Sequence, residues 1–264
     1  ETRAADDELP PETSAEVTAG PPLVTGSFPS ARMRRETRWA VARPNGVTGK
    51  LPVVVVLHAL NTNEKSIFSS KLEIQSVLQR YVDAGNPPFA IAAADGARNY
   101  YHPRADGTDA AAMVLDEFIP LLAGHALDTS RVAFLGWSMG GYGALLLGAR
   151  LGAARTAAIC AVSPALWTSS GATAPGAFDG AADYAANSVW GLPGLAGIPI
   201  RIDCGDSDPF YSATKQFIAQ LPGGAAGIDN LAIPLVMAPL IWALLFFHAC
   251  LDRNLTRVAL VAGA

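Results

Sequence analysis

The stretch Arg131-Val-Ala-Phe-Leu-Gly-Trp-Ser138-Met-Gly-Gly-Tyr-Gly-Ala-Leu-Leu-Leu147 decides the fold. Its first part, Val132–Leu135, is a short apolar run that reads as a buried strand. Its last part, from Gly140 on, is rich in small and apolar residues and reads as a helix. Between them lies Gly136-Trp-Ser138-Met-Gly140, which fits the G-x-S-x-G pattern. The spacing has a steric reason. The chain must turn sharply from strand to helix, and side chains at the two glycine positions would strike neighbouring backbone. The serine at the tip is then strained and exposed. Its hydroxyl sits at a helix N-terminus, where N–H groups and the helix dipole favour developing negative charge. Ser138 is therefore the candidate nucleophile.

Outward from this turn, strands and helices alternate. Glu36 to Ala42 reads as an edge strand. Leu51-Pro-Val-Val-Val-Val-Leu57 is apolar throughout, as expected of a strand buried on both faces of a parallel sheet. A helix is expected over Ser66 to Val82 and a strand over Pro88-Phe-Ala-Ile-Ala-Ala-Ala94. A further helix spans Thr108 to Leu122, with Thr108 or Asp109 as its cap. Thr156 to Val162 and Ile198-Pro-Ile-Arg-Ile-Asp-Cys204 are strands, and Phe210 to Leu221 is a helix. Such alternation means βαβ units around a mostly parallel sheet. The stretch from Pro164 to Gly194 interrupts it and is long for a connection, so it reads as a lid or substrate loop.

The chain has 264 residues, half of them hydrophobic and 16% charged, which suits one α/β domain with a sizeable core. Its formal net charge of -4 lacks the basic excess of a nucleic-acid surface. The one basic run, Arg32, Arg34, Arg35 and Arg38, reads as the solvated entry to the first strand. Residues 1–30 are acidic, then rich in Pro, Gly, Ser and Thr, and read as a flexible arm ahead of a domain over 31–264. Three cysteines, Cys160, Cys204 and Cys250, are too few and too odd in number for a disulfide framework. Cys160 and Cys204 read as buried strand residues that bridge only if their strands are neighbours. Leu231 to Cys250 is nearly uncharged and about the length of a membrane span. Pro234 and Pro239 interrupt it, and either a buried terminal element or a membrane-associated tail is compatible with it. The first residue is Glu1. A cleaved signal peptide is one explanation, and a secreted or cell-envelope location is favoured over the cytoplasm.

Gly136-Trp-Ser-Met-Gly-Gly-Tyr-Gly-Ala resembles the nucleophile elbow of the α/β-hydrolase superfamily, in particular the serine esterase group that includes esterase D and the bacterial mycolyltransferases. The resemblance covers Arg38 to Leu221. It implies a single α/β-hydrolase domain and a triad in the chain order Ser, acid, His. In such enzymes a His-Gly-x segment after an early strand supplies an oxyanion donor. Here Leu57-His58-Ala59-Leu60 matches, with Ala59 in place of the usual glycine. The Leu60 N–H and the Met139 N–H are the implied oxyanion donors, and His58 is a residue that orients the loop. The acid lies a few residues past a glycine, which implies Asp208, with Asp206 second. The activity implied is hydrolysis of acyl or aryl carboxylic esters through an acyl-enzyme on Ser138, without metal or organic cofactor. The substrate is a small-molecule or lipid ester. Transfer of the acyl group to an alcohol, as in the mycolyltransferases, is the alternative within this mechanism. A non-catalytic protein of the same fold, docking a membrane or partner through 231–250, is the alternative outside it.

Histidine is the unresolved member. Of His58, His102, His125 and His248, only His248 follows the acid. It lies in an apolar tail rather than the polar loop that the resemblance implies, and similarity ends near Gly227. Three readings stay open: His248 as base in a divergent tail, a replaced tail with no base, or another histidine, above all His102. The segment Tyr100-Tyr-His-Pro-Arg104 follows a strand end on the same sheet edge as Ser138, where ligands of open α/β sheets bind. Tyr101, His102, Arg104 and, inside the motif, Trp137 are accordingly candidate substrate contacts.

Overall fold

Alternation of side chains along the central strands shows why the sheet is covered on both faces. In β3 (Leu51–Leu57), Val53, Val55 and Leu57 face one apolar cluster, and Val54 and Val56 face the other. The same division holds in β4 (Ala90–Ala94) and β5 (Leu127–Trp137). Each fully buried valine or leucine contributes roughly 1.5–3 kcal/mol. The computed structural model describes residues 22–221. Among them seven strands form one sheet in the order β1-β2-β4-β3-β5-β6-β7. The pairs β4–β3–β5–β6–β7 are parallel, with β6 at Thr156–Val162 and β7 at Ile200–Asp203. The pairs β1–β2 and β2–β4 are antiparallel.

Helices α1 (Glu64–Ile67) and α2 (Ile74–Asp83) cover one face, through Ile67, Ile74, Val77 and Leu78. The other face takes α3 (Ala110–Ala112), a π-helical segment (Met113–Phe118), α4 (Ile119–Ala123) and α5 (Met139–Arg155). Two further helices, α6 (Ala181–Asn187) and α7 (Tyr211–Gln220), flank β7 in sequence. Asp109 is the cap of α3, accepting from Ala112 N–H at 2.9 Å. The helix expected over Ser66 to Val82 is two helices instead, because the chain breaks at Glu73, whose φ is 47°.

Leu23–Ser30 corrects the reading of residues 1–30 as a flexible arm over this part. It is strand β1, paired in register with Arg35–Ala42 (β2) along its whole length. Half of its residues are exposed, and only Ser30 is buried. Its order comes chiefly from the backbone ladder, with Leu23 and Phe28 alone packing on the core clusters, which is why composition hid it. The arginine run is not a free basic patch. Arg32 pairs with Asp116, and Arg35 and Arg38 both reach the nearly buried Asp95. Cys160 and Cys204 lie on the neighbouring β6 and just past β7, yet both are free thiols. Cys160 stands opposite Arg201, so the register does not bring the two cysteines face to face. Among the described residues no helix is long and apolar enough to cross a membrane. The segment 231–250, with His248 and Cys250, lies outside the described residues.

Candidate active site

The turn between β5 and α5 holds Ser138 at φ 53° and ψ -119°, a conformation L-residues avoid. Neighbouring backbone explains both flanking glycines. A Cβ on Gly136 would overlap the Gly140 carbonyl, and one on Gly140 would overlap the Leu57 carbonyl. The turn is anchored from the next strand by Ser138 N–H donating to Val162 O at 3.0 Å. Ala165 N–H and Tyr142 N–H both donate to Ser138 O at 3.0 Å. Ser138 is half-buried, at the head of a helix whose core-facing residues are sealed. Among the described residues none accepts from the Met139 N–H, which is one of the free donors of the first helical turn.

A second backbone donor comes from the loop after β3. His58 is fully buried and ties this loop down on both sides. Its Nδ1 donates to Ala59 O at 2.9 Å, and its Nε2 accepts from Gly96 N–H at 2.9 Å, bridging the loops after β3 and β4. Burial pushes the His58 pKa below the ordinary histidine value, which agrees with the neutral tautomer these bonds require. Thr62 donates to Ala59 O from both its N–H and its hydroxyl. The left-handed residue of the loop is Asn61, at φ 63°, and not Ala59. No glycine is needed at position 59, so alanine there is unstrained. The Leu60 N–H, like that of Met139, donates to no described residue.

The loop after β7 carries the acids. Asp203 is spent on Arg201, which reaches both carboxylate oxygens. Asp206 is exposed and, among the described residues, is bonded only to the adjacent Ser207 hydroxyl. Asp208 is half-buried, and its Oδ1 accepts from Phe210 N–H at 2.8 Å at the entry to α7. The Cys204 thiol lies against Asp208, Thr214 and Ser163, and burial pushes its pKa up. The loops of Leu60, Ser138 and Asp208 thus all leave the carboxyl ends of parallel strands, β3, β5 and β7.

A family model described as "Putative esterase" matches residues 30–222. The chain belongs to that family. It is accordingly a hydrolase of the esterase type, and its sheet is that of the α/β-hydrolase fold. Among solved structures it is similar to an S-formylglutathione hydrolase from Agrobacterium tumefaciens. That match has a TM-score of 0.69 and 20% identity, over 89% of this chain and 98% of that one. It is also similar to a ferulic acid esterase (TM-score 0.65, 19% identity, 79% of this chain and 88% of that one). A third is the feruloyl esterase module from Clostridium thermocellum (TM-score 0.55, 15% identity, 81% of this chain and 74% of that one). No match was found among curated proteins.

Against this fold, several sequence expectations shift. Tyr101 and His102 are fully buried and not substrate-facing. The Tyr101 ring fills the space beside Gly96 and Gly143, packing the loop after β4 onto α5. Tyr100 and Tyr101 are both left-handed, at φ 56° and 52°, which turns the second ring inward. Sequence patterning gives no sign of that backbone, since only two glycines far apart in the chain, Gly96 after β4 and Gly143 in α5, make room for the ring. Both ring nitrogens of His102 meet carbonyl oxygens, Pro103 O and Ala177 O, each at 2.9 Å, so neither is turned to Ser138. Arg104 also faces protein rather than substrate, donating to Ala177 O and Asp179. Trp137 is half-buried on the face of the sheet that carries α2. His125 lies at the amino end of β5, edge-on to Trp39, away from the strand ends that carry the site. His248 lies outside the described residues.

The stretch after Ser163, which the sequence marks as a lid or substrate loop, adds an aromatic group that includes Trp167 and Phe178. Trp167 O accepts from the Tyr184 hydroxyl at 2.6 Å and from Trp190 Nε1 at 2.8 Å. Together with Tyr142, these rings line a narrow, half-open and mostly apolar pocket with room for about one water molecule.

Proposed function

We propose that the chain is a serine esterase that hydrolyses carboxylic esters through an acyl-enzyme on Ser138. The observation that carries this reading is the strained Ser138 at the head of α5, with Gly136 and Gly140 jammed between neighbouring backbone segments. Strain of this kind costs of order 1–3 kcal/mol and persists only where the surroundings enforce it. The two unpartnered N–H groups of Leu60 and Met139 supply the oxyanion donors.

In this mechanism Ser138 Oγ attacks the ester carbonyl carbon while its proton passes to an imidazole. The C–O π pair moves to oxygen, where the Leu60 and Met139 N–H groups receive it. Collapse expels the alcohol, which takes the proton from the imidazolium. Water then repeats the cycle and releases the acid. Asp208 orients the imidazole and favours its charged form. His248 is the proposed base. His58 and His102 have both nitrogens engaged, and His125 sits at the opposite end of its strand. The substrate is a small-molecule or lipid ester whose acyl or aryl part meets the aromatic wall of Trp167 and Phe178.

The test is hydrolysis of p-nitrophenyl esters by the full chain, Ser138→Ala and His248→Ala. The proposal expects each variant to lose at least about a thousandfold in kcat. Loss in Ser138→Ala alone would keep the nucleophile and remove His248 as base. A full chain no faster than Ser138→Ala would overturn the catalytic reading in favour of a non-catalytic member of the fold.

A further inference from the structure

The Tyr100–Arg104 segment takes no part in the proposed mechanism, yet its contacts are dense and specific. The Arg104 guanidinium donates to Ala177 O at 2.8 Å and to Asp179 Oδ1 at 2.6 Å. Asp179 Oδ2 accepts from Ala105 N–H at 2.6 Å, so one carboxylate grips both the side chain and the backbone of the facing loop. His102 reaches the same Ala177 carbonyl from behind, and its ring stacks on Phe178, 4.8 Å between centroids and 13° from parallel. Asp183 Oδ1 lies 3.5 Å from His102 Nδ1, and Asp183 Oδ2 accepts from Asp179 N–H at 2.8 Å. Arg104 thus directs one N–H to the Ala177 carbonyl and another to Asp179, and with side chains 13% and 29% exposed the pair is less solvated than an ordinary surface ion pair.

The gripped residues 177–179 sit in the stretch that supplies the aromatic cavity. Two of the cavity's lining residues, Tyr142 and Ala165, donate their backbone N–H groups to Ser138 O, which ties this stretch to the serine turn. Its room is about that of one water molecule, so an acyl chain longer than a methyl group enters it only if Trp167 or Phe178 moves. Phe178 stands between the two gripped residues Ala177 and Asp179.

We propose that Arg104 and Asp179, backed by His102, form a clamp that holds the 164–190 segment shut on the catalytic face and restricts the enzyme to short acyl groups. The proposal rests on Ser138 being the nucleophile. Arg104, Asp179 and His102 are positioning residues in it: they touch the wall, not the ester.

The experiment compares kcat/KM for p-nitrophenyl acetate and p-nitrophenyl octanoate in the full chain, Asp179→Ala, Arg104→Met and the double variant. The full chain is expected to prefer acetate. Asp179→Ala should lower the acetate-to-octanoate ratio about tenfold, chiefly through KM for octanoate, with the acetate rate unchanged. The double variant should shift the ratio no further than the larger single, since both break one contact. A general loss of stability would lower both rates together and leave the ratio alone. Asp179→Asn, which keeps the volume and loses the charge facing Arg104, is the second variant and must shift the ratio in the same direction. An unchanged ratio in variants that melt cooperatively would overturn the clamp, as would a full chain that prefers octanoate. A full chain no faster than Ser138→Ala on either ester would instead sink the nucleophile assignment, and the clamp with it.

Discussion

The carbonyl oxygen of Leu57 occupies the space that a Cβ on Gly140 would fill. This contact fixes the start of α5 against the end of β3 and so sets the spacing between the Met139 and Leu60 donors. Gly140→Ala must push two backbone segments apart. We expect it to lower stability by about 3 kcal/mol, the upper range for overpacking, and to lose most ester hydrolysis. Urea denaturation and initial rates check both; a variant as stable as the parent would mean that the segments yield freely.

Ser138 itself carries strain at φ 53°. Glycine adopts such a conformation without penalty. Ser138→Gly should therefore be more stable than Ser138→Ala by about 1 kcal/mol, although both are inactive. Equal denaturation midpoints for the two would mean that the turn is unstrained.

The two acids of the loop after β7 separate by environment. Asp208→Asn should cut kcat by at least about a hundredfold, because the imidazole loses the acceptor that fixes its tautomer. Asp206→Asn, on an exposed carboxylate, should keep the parent rate. The reverse pattern would transfer the role to Asp206.

His58 gives a pH dependence to the fold. Burial lowers its pKa relative to the unfolded chain, so the unfolded state binds the proton more readily. Above the ordinary histidine value both states are neutral and nothing is lost. As pH falls below that value the folded state is penalised, and stability declines. Urea midpoints measured from neutral to mildly acidic pH should fall in the parent by more than in His58→Asn. Identical slopes would show that His58 is protonated as easily folded as unfolded.

Cys160 and Cys204 should resist alkylation in the native protein. Burial raises both thiols and removes them from solvent. Peptide mapping after iodoacetamide treatment at neutral pH should find both unlabelled, and both labelled in urea. Rapid native labelling of Cys204 would indicate that the loop carrying Asp208 opens.

The elements that were legible in the sequence share one property: their function constrains composition. The Val53–Val56 run could be read as a two-faced parallel strand because burial on both sides admits only apolar residues. Gly136 and Gly140 marked the serine turn because backbone crowding admits only glycine. Where order comes from backbone pairing, composition is silent, and Leu23–Ser30 passed for a loose arm. The Tyr100–Arg104 segment misled for another reason. Its position at a strand end pointed toward a ligand, but two left-handed tyrosines turn it into the protein. Asp208 was put ahead of Asp206 only by the spacing that the resemblance implies, whereas the Phe210 N–H that holds its carboxylate is visible only in space.

The strand order has a kinetic consequence. β3 lies between β4 and β5, and its parallel pairing with β5 joins segments far apart in the chain. Such pairings close long loops and form slowly. Leu60, Met139 and Asp208 occupy the ends of three of these strands, so no fragment of the chain holds the constellation in place. On refolding, helical signal is expected to return early, with the local contacts of α2 and α5, and ester hydrolysis only once the sheet has zipped across its full width.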